Sequence, residues 1–98
     1  MNMQSETNRE EILEEDKYLS RFYYTFGSNS LGQQPFSFGH VLIYARSQLQ
    51  AHIKFREHFP DRSPRCLNCA GYYTEWEMKR TGMLNPDSPW SKCHQVIR

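Results

Sequence analysis

Apolar and polar positions change period several times along these 98 residues, and the changes divide the chain into elements. Arg21–Phe26 (RFYYTF) alternates Phe22, Tyr24 and Phe26 against Tyr23 and Thr25 and stops at Gly27-Ser28-Asn29-Ser30, the pattern of a strand closed by a turn. His40–Ala45 (HVLIYA) is a short apolar run without helix signals, a second strand that pairs antiparallel with the first in the simplest reading. Ser47-Gln48-Leu49-Gln50 then has the form of a capping box, opening a helix that runs to about His58 and is stopped by Phe59-Pro60. On it Ala51, Phe55 and Phe59 share one side, with Leu49 and Ile53 extending the apolar arc and His52 inside the arc as a partly buried, satisfied histidine.

Ala70–Tyr73 reads as a short third strand, and Thr74-Glu75-Trp76-Glu77 caps a helix from Glu75 to about Thr81, with Gly82 in the usual position after a helix end. Upstream, Thr7-Asn8-Arg9-Glu10 is another capping box, ahead of a sparsely apolar helix over Asn8–Leu19. The expected order is therefore α-β-β-α-β-α. It describes an α+β fold with a small three-stranded sheet, a hairpin plus a crossover strand, and helices on one face. If the second and third strands are neighbours, the helical crossover makes them parallel. Residues 1–20 form an acidic helical extension, 21–82 a single α+β domain, and 83–98 an irregular tail in which Trp90 is a candidate anchor. The long connection Gly27–Gly39 exceeds a hairpin loop, and Phe36 and Phe38 on it are expected to fold back onto the core.

Composition refines this picture. Hydrophobic content is 38%, but six Tyr, six Phe and two Trp bury large areas per residue, enough for one compact core. Net charge is +1, unevenly distributed: the first twenty residues carry six carboxylates against Arg9 and Lys17, a balance of −4, and the rest carry ten cations against five carboxylates, a balance of +5. No apolar run reaches bilayer length, and the acidic amino end does not resemble a secretory signal, so a cytoplasmic protein without a membrane partner is expected. Three cysteines then argue for reduced thiols.

Three constellations bear on chemistry. Cys66-Leu67-Asn68-Cys69 with Cys93-His94 offers four zinc-type ligands, but adjacent residues seldom both reach one tetrahedral ion, so the cysteines are read as packing and no cofactor is expected. The cations Lys54, Arg56, Arg62 and Arg65, with Tyr72 and Tyr73 close in sequence, supply guanidinium and aromatic groups suited to phosphates and nucleobases, and are the candidate partner- or anion-binding residues. Five charges, His58 included, fall short of a duplex footprint, which favours a small nucleotide or an acidic protein surface. Phosphate loop, nucleophile elbow and paired metal histidines are missing, and no enzyme is expected.

Phe22–Ser28 (FYYTFGS), Gly39–Ala45 (GHVLIYA), Ala51 with Phe55-Arg56 and Phe59–Arg62, and Cys66–Ala70 with Tyr73-Thr74-Glu75 together resemble small phage and prophage proteins of Gram-positive gut bacteria that share a Tyr-Thr-Phe-Gly strand motif. The resemblance covers residues 21–78 and omits the acidic extension and the tail. It implies a phage protein acting in the cytoplasm of an infected host. Small non-enzymatic phage proteins of this size often act by blocking host defence, so the expectation is a counter-defence protein that either docks on a defence nuclease, in the manner of an anti-CRISPR inhibitor, or sequesters a nucleotide signal, with RNA as a further contact. The alternative is a small zinc-stabilised nucleic-acid-binding accessory protein.

Overall fold

A computed structural model describes residues 19–60 and 67–98. The expected acidic helix lies outside these residues except for Leu19, as do Arg62, Arg65 and Cys66. The described elements are β1 (Ser20–Thr25), β2 (His40–Ala45), α1 (Gln48–His58), β3 (Gly71–Thr74), α2 (Glu75–Arg80) and β4 (Cys93–Ile97). The α+β class holds, with one mixed four-stranded sheet in the order β3-β1-β2-β4.

β1 and β2 form the expected antiparallel hairpin, with Phe22 opposite Ile43 and Tyr24 opposite Val41. Its rungs extend into the connection, where the Phe38 N–H donates to the Gly27 carbonyl at 2.8 Å. The loop tip is then closed by the Asn29 side chain, which donates to the Gln34 carbonyl and accepts from the Gln34 N–H, both at 2.7 Å. Phe36 turns inward onto Phe26 and Phe59 as expected, whereas Phe38 is exposed at a positive φ of 54°.

Three expectations are corrected. First, β3 does not neighbour β2: it pairs antiparallel with β1, Tyr24 opposite Tyr72 and Tyr23 opposite Tyr73, so the α1 crossover passes over β1 to reach the far edge. Second, the tail is not irregular throughout. Cys93–Ile97 is a fourth strand, parallel to β2, with Ile97 beside Ile43 and a register shift between His40 and Val41. A run with only two bulky aliphatic residues after two prolines carries a weak strand signal, and its pairing partner lies some fifty residues away.

Third, the helices cover opposite faces. Phe22, Tyr24, Val41, Ile43, Ala45 and Ile97 project to the face that α1 closes with Ala51 and Phe55, and Phe26, just past β1, joins this core. The alternate residues Arg21 and Tyr23 project to the other face, where Glu75 of α2 meets both, and Met78 is buried outside the first core. From α2 a series of turns crosses this second face to β4, and Trp90 anchors them, its Nε1–H donating to the Phe26 carbonyl at 3.2 Å.

Helix α1 also corrects the proposed arc. At about 100° per residue, Ile53 lies some 160° from Phe55 and Leu49 about 120° from it, too far round for either to face the sheet. Both are exposed. The caps form largely as the sequence suggests: the Ser47 hydroxyl accepts from the Gln50 N–H, and at α2 both halves of the Thr74–Glu77 box are present. Gln50 differs, its Oε1 reaching the Arg46 N–H.

Gly39 sits at the crossing of hairpin and tail. Its φ is +67°, its N–H donates to the Pro89 carbonyl, and a Cβ there would meet His94 Nε2 and stand 2.7 Å from the Lys92 carbonyl. Gly39→Ala should therefore lower unfolding free energy by at least about 2 kcal/mol, combining the left-handed backbone cost with the backbone clash. Ile97→Ala should cost about 2–4 kcal/mol as a core truncation. Urea midpoints check both, and an unchanged midpoint for Ile97→Ala would restore the irregular tail.

Candidate functional site

Crossing over β1 leaves a cleft of about 350 Å³ between α1 and the start of β3, and His52, Arg56, Leu67, Cys69, Gly71 and Tyr72 line it. The α1 periodicity puts His52 and Arg56 one turn apart on the flank facing β3. Period-two alternation in β3 sends Tyr72 to the α1 side and Tyr73 to the α2 side.

Tyr24 makes the floor of this arrangement. Its buried ring stacks on Phe55 with centroids 4.5 Å apart, and its hydroxyl shares a hydrogen bond of 2.8 Å with His52 Nδ1. The His52 ring stands edge-on to Tyr72, centroids 4.5 Å apart. Burial, followed by the nearby charges of Cys69 and Tyr72, pushes the Tyr24 phenol well above its usual range, so it stays protonated. Burial and then the Arg56 cation hold His52 below the ordinary histidine value. Near neutral pH a neutral imidazole, one phenol ring and one guanidinium thus line the cleft above the buried Tyr24, and among the described residues no carboxylate lines it.

Of the six predicted binding residues, the structure brings Arg56 and Tyr72 together. Lys54 is spent on the backbone, its Nζ donating to the Tyr44 carbonyl at 2.7 Å. Tyr73 faces the opposite side of the sheet, and Arg62 and Arg65 lie outside the described residues. His52 and Tyr24 are the members that sequence reasoning left out of the site. The signal available was that Tyr24 stands on the apolar face of its strand, where a buried hydroxyl needs a partner.

The zinc candidates do not converge among the described residues. Cys69 packs half-buried against the α1-side core just ahead of β3, whereas Cys93 and His94 belong to β4 at the opposite edge. Cys93 is exposed with its thiol toward the Gln95 carbonyl. The His94 ring lies flat on Phe36, centroids 4.3 Å apart, with Nε2 bonded to the Phe38 carbonyl at 2.9 Å. Among the described residues, no three His, Cys, Asp or Glu side chains are grouped to hold a metal ion.

A larger groove, about 550 Å³, opens at the other end of β1 and contains none of the predicted binding residues. No helix among the described residues is long and apolar enough to cross a membrane. No protein-family profile, curated protein or solved structure matches this chain significantly.

The histidines set a pH dependence. Burial also lowers His40, whose Nδ1 bonds the Trp90 carbonyl at 2.7 Å. Because both imidazoles bind protons less readily folded than unfolded, their contribution to stability is complete above about pH 6.5 and is lost as pH falls below it. Glu75, lowered first by its hydrogen bond from Arg21, adds a loss below about pH 4.5. Urea midpoints should fall steadily from pH 7 to pH 5, and a flat profile over that range would contradict the assignment.

Proposed function

We propose that this chain is a non-enzymatic, phage-encoded binding protein that counters host defence by sequestering a nucleotide signal. The observation that carries the nucleotide reading is the cleft joining Arg56 to Tyr72 and His52. A guanidinium fork offers paired donors to a phosphate, and the exposed Tyr72 ring offers a stacking face to a base. The phage setting rests on the sequence resemblance over residues 21–78, independently of the cleft.

The cleft also suits retention rather than turnover. Among the described residues that line it, the one imidazole has Nδ1 committed to the Tyr24 hydroxyl and there is no carboxylate able to act as a general base. Docking on a defence nuclease is the other route to the same end, and the same experiments separate the two.

Calorimetric titration with linear and cyclic nucleotides tests the reading. Tyr72→Ala should weaken binding about 5- to 100-fold, the range of one base stack, and Arg56→Glu should abolish it. Tyr73→Ala, on the other face of the sheet, should leave affinity unchanged. If no nucleotide binds and a nuclease instead co-purifies from a defence-bearing host, docking replaces sequestration.

A further inference from the structure

The larger groove lies where β1 begins and where β3 hands over to α2, with Arg21, Phe22, Glu75 and Trp76 among its walls. Trp76 is 66% exposed although it follows directly on a well-formed helix cap. Its companions on α2 explain little of this by apolar contact: Glu75, Glu77, Lys79 and Arg80 are charged, and Met78 is buried. The Arg80 guanidinium carbon stands 5.0 Å from the centre of the Trp76 ring.

The floor beside Trp76 is organised by Arg21. Its Nη1 donates to Glu75 at 2.8 Å and its Nε donates to the Tyr44 hydroxyl at 3.2 Å, so one guanidinium links β1, β2 and α2. The Tyr44 ring has Arg21 at 5.5 Å and Arg98 at 4.6 Å from its centre. Arg21 and Glu75 balance one another, and Lys79 Nζ lies 3.8 Å from the same carboxylate. Glu77 is engaged in the helix cap. Among the described residues along this surface, Arg21, Lys79, Arg80 and Arg98 therefore outnumber Glu75 and Glu77, with an exposed indole among them.

We infer that this groove binds single-stranded nucleic acid, with an unpaired base stacked on Trp76 and the adjacent phosphates met by Lys79 and Arg80. Interleaved aromatic faces and guanidinium groups are the means by which proteins hold unpaired bases without sequence preference, through stacking and phosphate contacts. A duplex would keep its bases in the stack and could not use the indole. A protein partner docking through an apolar patch would require further exposed apolar side chains on α2, and Trp76 is the one present. This surface is separate from the Arg56–Tyr72 cleft and shares no lining residue with it.

Intrinsic fluorescence of the full chain, titrated with a deoxythymidine or uridine oligomer of about ten nucleotides, tests the inference. Stacking should quench Trp76 emission and leave a residual signal from Trp90, which is half-buried and hydrogen-bonded to the Phe26 carbonyl. Trp76→Ala should weaken binding about 5- to 100-fold by anisotropy of a labelled oligomer. The double variant Lys79→Glu with Arg80→Glu should flatten the slope of log affinity against log salt. Tyr72→Ala should change neither reading, which separates this site from the cleft. Circular dichroism confirms that each variant is folded. The inference is overturned if the oligomer leaves Trp76 emission unaltered, if Trp76→Ala binds as tightly as the parent, or if a duplex of equal length competes equally well.

Discussion

A buried phenol is costly unless its hydroxyl finds a partner, and Tyr24 is a fully buried tyrosine at the centre of the sheet. His52 meets that need from α1, while Phe55, one turn further along, stacks on the same ring. The pair of contacts ties the helix to the middle strand at one rotation. Because β1 lies between β2 and β3, fixing α1 over β1 also fixes the route by which the chain reaches the far edge. The cleft is the space left along that route.

Each sheet face then has its own closure. On the α1 side an aromatic continuum runs from Tyr72 through Tyr24, Phe55 and Phe59 to Phe36 and His94, so the β1–β2 connection and β4 are held by the same packing as the helix. On the α2 side the contacts are more polar: Tyr23 meets the His40 ring edge-on, and Arg21 reaches Glu75. That ion pair is partly exposed and contributes at most about 1 kcal/mol, so its importance is in placing Arg21 and Glu75 at the groove.

The two candidate binding surfaces are consequences of these closures. The cleft is walled by α1 and β3, and its imidazole is kept neutral by burial and by Arg56. The groove is walled by the beginnings of β1 and α2, where charges of both signs gather around an exposed indole. The two lie at opposite ends of the β1–β3 pair, the groove where Phe22 is opposite Thr74 and the cleft where Thr25 is opposite Gly71.

Local signals in the sequence were sufficient for β1, β2, both described helices, the Ser47 and Thr74 caps and the shared face of Phe22, Tyr24 and Phe26, because each depends on residues a few positions apart. They also singled out Arg56 and Tyr72. Strand order, the placement of the helices on opposite faces and the strand character of Cys93–Ile97 depend on partners far along the chain, and no local period encodes them. The same holds for the site. The need of Tyr24 for a hydrogen-bond partner was implicit in its buried position, but only the tertiary structure, by carrying α1 over β1, decided that the partner is His52 and that Tyr72 completes the cleft.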